Sequence, residues 1–119
     1  MLGIFLCSKF LVYYSMAEFS KQGNIAVTGT ILYTGSISNI SLTKVLILRF
    51  NNPAAFQLRL SKFEAATSTT TIIYNLNLSA GDTLTDNLSY ALNPGDRLIA
   101  TSSIAGTTYY IYGVDYASS

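Results

Sequence analysis

Three aspartates in one short stretch are the residues of this chain best placed to do chemistry. In LNLSAGDTLTDNLSYALNPGDRLI, residues 76–99, Asp82 follows Gly81, Asp96 follows Gly95, and Asp86 lies between the two pairs. Carboxylates can bind calcium, or act as the acid and base of a glycosidase. A calcium loop sets its ligands at alternating positions of one tight segment and ends on a bidentate acid. These acids are instead spread over two separate turns. A glycosidase pair must face each other across a sugar, and nothing in this spacing requires that. A local explanation covers the same residues. Glycine tolerates positive φ, aspartate bonds to nearby backbone, and Pro94 presets φ for the first central residue of a turn. Gly81, Asp82, Pro94, Gly95 and Asp96 are therefore read as structural turns. They would be two successive turns of one sheet, a β-meander, with the flanking leucines on its core face.

The remaining chemistry is sparse. The chain has no histidine, which removes the commonest general base, the Ser-His and Cys-His nucleophile pairs and most zinc sites. Its many Ser and Thr residues include no G-x-S-x-G motif and have no base to activate them. Neither an enzyme nor a cofactor or metal site is expected. Cys7 is the single cysteine, so no internal disulfide can form.

Tyrosine is the other notable residue type, with nine in a chain that lacks tryptophan. Four of them crowd into TTYYIYGVDY, residues 107–116. Exposed strand tyrosines can stack on sugars or line a subunit interface, because each offers apolar area with a polar end. Tyr109 and Tyr112 are the candidates for either role. The plainer reading makes Tyr110, Tyr112 and Tyr116 core residues with their hydroxyls at the rim.

The elements that must position these residues are strands. From Asn24 onward the apolar pattern has a period of two. Ile25, Val27, Ile31 and Tyr33 alternate with Ala26, Thr28, Thr30 and Leu32, and Phe56, Leu58 and Leu60 alternate with Gln57, Arg59 and Ser61. LTKVLILRF, residues 42–50, is nearly continuously apolar, as a central strand covered on both faces would be. Asn51-Asn52-Pro53 ends it, since proline cannot donate to a ladder. No stretch after Met16 carries a helical stripe. Seven or eight short strands with regular turn signals predict an all-β antiparallel sandwich, of the jelly-roll or immunoglobulin-like kind.

The segment before this pattern differs. LGIFLCSKFLVYY, residues 2–14, is strongly apolar but too short to span a bilayer as a helix. It also lacks the basic n-region of a signal peptide. Met16 opens MAEFSKQGN, which has the form of an ordinary start, so residues 1–15 can also be read as an upstream extension. The favoured expectation is an assembly arm over residues 1–20, ahead of a sandwich domain over 21–119. Leu2, Ile4, Phe5, Leu6, Phe10, Leu11, Tyr13 and Tyr14 would pack on a neighbouring subunit.

Composition agrees with a protein that packs against others. The 119 residues suffice for one domain and one core. Half are hydrophobic and 11% are charged, against about a quarter in ordinary domains. The net charge of +1 comes from scattered residues, so the footprint of a nucleic-acid binder is absent. Neither nucleic acid nor a membrane is an expected partner.

Taken in order, these features form a pattern. A strand ending Ile31-Leu32-Tyr33-Thr34 precedes the lysine-containing Lys44-Val45-Leu46-Ile47-Leu48, then Asn51-Asn52 and a strand of alternating leucines. The two Gly-Asp turns follow, and the chain closes on Gly113-Val114-Asp115. Over residues 24–116 this resembles the small β-sandwich domain of tailed-bacteriophage virion structural proteins, among them capsid decoration (cement) proteins, head fibres and tail accessory proteins. The resemblance implies a non-enzymatic, oligomeric module located in the virion, often trimeric, with the major capsid protein or other virion proteins as partners. A capsid decoration protein is its leading form. A tail, neck or fibre protein of the same fold is the alternative, and a carbohydrate-binding sandwich is the rival from another class.

Overall fold

The computed structural model describes residues 2–7, 10–35 and 42–118, with side chains for 16–35 and 42–116. The described residues form ten strands: β1 (Leu2–Cys7), β2 (Phe10–Asn24), β3 (Thr30–Thr34), β4 (Leu42–Asn51), β5 (Phe56–Glu64), β6 (Thr69–Leu78), β7 (Thr83–Asp86), β8 (Tyr90–Leu92), β9 (Arg97–Ser102) and β10 (Thr108–Ser118). All pairings are antiparallel. One sheet has the order β1-β2-β10-β4-β7, with β8 also on β4, and the other is β3-β9-β5-β6. The two sheets make the sandwich that the strand pattern predicts. With β2-β10-β4-β7 facing β3-β9-β5-β6, the topology is that of a jelly roll. Ten strands stand where seven or eight were expected. The apolar N-terminal segment supplies two, and the segment that pairs along β4 is split into β7 and β8.

The core fills the space between the sheets. Val45, Leu48, Phe50 and Ile111 from one sheet meet Leu32, Leu58, Leu60, Leu98 and Ala100 from the other, all essentially without solvent exposure. β5 shows why its sequence makes a half-wet strand, since Phe56, Leu58 and Leu60 are buried while Gln57 and Arg59 are exposed.

β4 is central, as its apolar run suggested, but the run has a second cause. Tyr112 pairs with Ile47 and Gly113 with Val45, so Leu46 is an extra residue that shifts the alternation by one. Thr43 and Val45 point inward before the bulge, and Leu48 and Phe50 after it. The phase change turns two alternating patterns into one nearly continuous apolar string.

The two Gly-Asp turns share one geometry. Asp82 N–H donates to the Ser79 carbonyl at 3.1 Å and Asp96 N–H to that of Asn93 at 3.0 Å, with Gly81 at φ 79° and Gly95 at φ 85°. They do not belong to a β-meander. The first carries the chain from β6 in one sheet to β7 in the other, and the second carries it back from β8 to β9. Sequence periodicity reports that a turn occurs, and only the pairing partners report that it crosses between layers.

β2 is the longest strand. Its residues from Tyr14 to Asn24 pair with β10, while Phe10 to Ser15 pair on the opposite edge with β1. The β1–β2 hairpin therefore runs past the last β10 partner, Ser118, and lengthens the molecule to 57 Å against 28 and 19 Å in the other directions. The radius of gyration, 16.4 Å, exceeds the roughly 13.5 Å of a compact domain this size.

One close approach seats β2. Phe19 is the cross-strand partner of Gly113, and a Cβ on Gly113 would lie 2.6 Å from Phe19 Cζ and 2.3 Å from the Lys44 carbonyl oxygen. The missing side chain lets the Phe19 ring lie across β10 and stack on Tyr33 of β3, with centroids 3.8 Å apart and planes within 9°. Gly113→Ala is expected to cost about 3 kcal/mol in urea unfolding, through overpacking against backbone. Gly81→Ala has open space around it and is expected to lose only the 1–2 kcal/mol or so of a left-handed residue.

Candidate functional site

The aspartates that opened the question are tied to structure. Asp86, on β7, is 7% exposed. Its Oδ2 accepts the Tyr74 hydroxyl at 2.9 Å and the Tyr90 hydroxyl at 2.6 Å, and its Oδ1 accepts the Leu88 N–H at 2.9 Å. Tyr74 belongs to the opposite sheet, so this carboxylate joins the two layers at the β6–β7 side. Asp96 is 3% exposed. It accepts the N–H of Asn93 at 3.0 Å and of Ala65 at 2.9 Å, with Lys62 Nζ at 3.8 Å. It therefore caps its own turn and also holds the β5–β6 turn. The Asp82 side chain is exposed and accepts the Ser79 N–H, at 3.2 Å.

A fourth aspartate has the same kind of role at the other side of the sandwich. Asp115 Oδ2 accepts the Tyr33 hydroxyl at 2.6 Å and its Oδ1 accepts the Thr43 hydroxyl at 2.5 Å, which links β10, β3 and β4. In the sequence pattern it stood only as the close of the last strand, without a role. The signal was present: an acid inside an apolar, tyrosine-rich strand needs donors, and hydroxyls are the donors a low-charge chain can supply. Asn52 was likewise read only as a strand breaker, yet it is 2% exposed. Its amide nitrogen donates to Thr107 Oγ1 at 2.8 Å and to the Ala105 carbonyl at 3.1 Å, and its Oδ1 accepts the Ala54 N–H at 2.9 Å.

Among the described residues, no three His, Cys, Asp or Glu side chains come together as a metal site. Apart from Lys62 beside Asp96, the carboxylates receive neutral hydroxyls and amides in fixed positions, an arrangement that suits pinning. Burial, reinforced by the facing carboxylates, raises the pKa of Tyr33, Tyr74 and Tyr90 well above the usual tyrosine value.

The tyrosine-rich strand is inverted relative to expectation. Tyr109 is 6% exposed and lies in the core with Ile111, so most of its ring is withdrawn from the surface. The core face of β10 carries Tyr109, Ile111 and Gly113, while Tyr110, Tyr112 and Tyr116 are partly exposed. Alternation groups residues by face without saying which face is wet. Tyr110 borders a shallow groove of about 400 Å³ on the outer sheet, with Gln22, Arg49, Asn51 and Thr83. Desolvation and the neighbouring Glu18 carboxylate raise the pKa of Tyr112.

Backbone pairing places the expected arm residues Leu2, Ile4, Phe5 and Leu6 on β1, and Phe10, Leu11, Tyr13 and Tyr14 on β2; their side chains lie outside the described residues. At the far side of the molecule, Leu76, Leu84 and Leu88 line an open, largely apolar groove of about 350 Å³ between β6 and β7. Leu88 is 75% exposed, Ile72 54% and Leu76 38%. No helix among the described residues is long and apolar enough to cross a membrane.

No protein-family model matches the chain, and no curated protein sequence matches it. Solved structures do. A chain from Bacillus endospore appendages, described as a family of disulfide-linked pili, is 14% identical over 97% of both chains, with a TM-score of 0.56. A chain from infectious bursal disease virus, Gx strain, is 12% identical, with a TM-score of 0.46; 97% of this chain matches 40% of that one. A chain from the T13 particle of the same virus is 12% identical, with a TM-score of 0.44 over 97% of this chain and 39% of that one. The first likeness shows the fold, end to end.

Asp86→Ala is expected to destabilise the protein by about 2–3 kcal/mol in urea unfolding, because it strands two tyrosine hydroxyls and an amide. The pH dependence follows from the raised tyrosines. A folded pKa above the unfolded value of about 10 contributes stability that is complete below pH 10 or so and is lost as pH climbs through the folded value. Unfolding free energy is therefore expected to fall from about pH 10 upward. Absorbance at 295 nm should show these three tyrosines ionising late, together with unfolding.

Proposed function

We propose that this chain is a non-enzymatic structural subunit that assembles with copies of itself in a virion or an extracellular appendage. The observation that carries the reading is the β1–β2 hairpin, an apolar arm that leaves the sandwich while anchored to it by the long β2–β10 ladder. An isolated two-stranded ribbon is marginally stable in water, and a partner surface would stabilise it. The low charge of the chain and the use of its buried carboxylates as pins support the same reading.

In its finer form, the subunit is a capsid decoration protein of a tailed bacteriophage, as the sequence resemblance implies. The sandwich would cover junctions between shell proteins, and the arm would reach a neighbour. An appendage subunit is the second form, favoured by the full-length likeness in fold to a pilus chain. The two forms share one interface logic. An arm on one side that docks on a different surface of the next copy is a heterologous contact, which closes into a ring such as a trimer or continues as a filament.

Light scattering and negative-stain microscopy of the purified full chain are expected to show rings or filaments. The double variant Ile4→Asp/Leu6→Asp is expected to remain a folded monomer by circular dichroism. A wild-type chain that stays monomeric across micromolar to millimolar concentrations would contradict the proposal.

A further inference from the structure

The edges of the two sheets are not alike. β7 and β8 are four and three residues long. β3 has five and is interrupted by a register shift. The outer edge of β2 carries Glu18 and Lys21, charges of the kind that discourage strand addition. β6 differs from all of these. Its ten residues, TTTIIYNLNL, contain no charge, no proline and no glycine, and among the described residues it pairs only with β5. One bulge, at Ile73, divides it, leaving Tyr74–Leu78 as a regular run paired with Phe56–Leu60. Along that run lies the open groove of Leu76, Leu84 and Leu88. A long uncharged edge beside exposed leucines is a template for another strand.

From these edges we infer that the Tyr74–Leu78 edge of β6 is the acceptor for β1 of a second copy, which adds to the β3-β9-β5-β6 sheet as a fifth strand. The inference rests on the assembly reading above and names the surface the arm seeks. β1 matches the acceptor in chemistry and length. It has six residues, LGIFLC, without a charge, and its outer edge has no strand partner among the described residues. The period of two puts Leu2, Ile4 and Leu6 at positions of one face, the right composition to close an apolar groove. Strand addition takes its affinity from main-chain bonds and its specificity from alternate side-chain positions. Donor and acceptor occupy different parts of the molecule, so each copy can give one strand and receive one.

The lone Cys7 at the end of β1 makes a direct test. Single cysteines are placed in the full chain at Asn75 or Asn77 on β6, and at Ile31 on the β3 edge as a control, and each protein is oxidised under assembling conditions. Asn75→Cys and Asn77→Cys are expected to give intermolecular disulfides at least fivefold above Ile31→Cys, and the products should vanish when Cys7→Ser is added. A companion variant, Leu76→Lys/Leu88→Lys, changes only exposed residues. It is expected to keep its circular dichroism and weaken association at least tenfold. Assembled protein without β6 cross-links, or with stronger cross-links at Ile31, overturns the acceptor assignment and leaves the assembly reading standing. Wild-type protein that light scattering finds monomeric overturns both.

Discussion

β10 is the strand on which the rest of the molecule depends. It pairs with β2 along one edge and β4 along the other for nearly its whole length. The N-terminal hairpin can leave the sandwich only because this ladder holds its base. Holding β2 in turn requires the Phe19 ring to cross β10 at the one residue with no side chain, Gly113. A bulge in β4 lies directly opposite, so twist, glycine and ring are parts of one solution to bringing three strands and the facing sheet together.

Polar side chains then fix how the two layers sit. Asp115 bonds Tyr33 on the β2–β3 side, Asp86 bonds Tyr74 on the β6–β7 side, and Asp96 and Asn52 tie loops. Each buried acid meets hydroxyl or amide donors, and a satisfied network of this kind specifies one arrangement of a core. A chain with few charges thus keeps two of its carboxylates, Asp86 and Asp96, buried.

Much of the fold was legible because strands announce themselves by alternation and turns by Gly, Asp and Pro. Ile31 to Thr34, Phe56 to Leu60 and the two Gly-Asp turns lie on or between strands as their pattern requires. What the pattern could not carry was partnership. It placed Asp82 and Asp96 in one meander, when their turns cross between sheets. It offered Tyr109 as a surface residue, when its face of β10 is the core. It had no means of joining Asp86 to Tyr74 and Tyr90, or Asp115 to Tyr33, since those contacts depend on which strands face one another. The candidate site was legible only as an apolar segment out of pattern. That this segment is a hairpin continuous with the sandwich, with an uncharged edge strand at the far side, needed the structure.

Neighbouring copies are proposed to join by the N-terminal hairpin and the β6 edge. Hydrogen–deuterium exchange, compared between dissociated subunit and assembly, tests this most directly because it reads backbone pairing residue by residue. Slow exchange is expected throughout Tyr109–Val114 in both states, with protection gained on assembly at Leu2–Cys7 and Tyr74–Leu78. Gains confined to β3 or to the outer face of β10, with β1 and β6 unchanged, would contradict it.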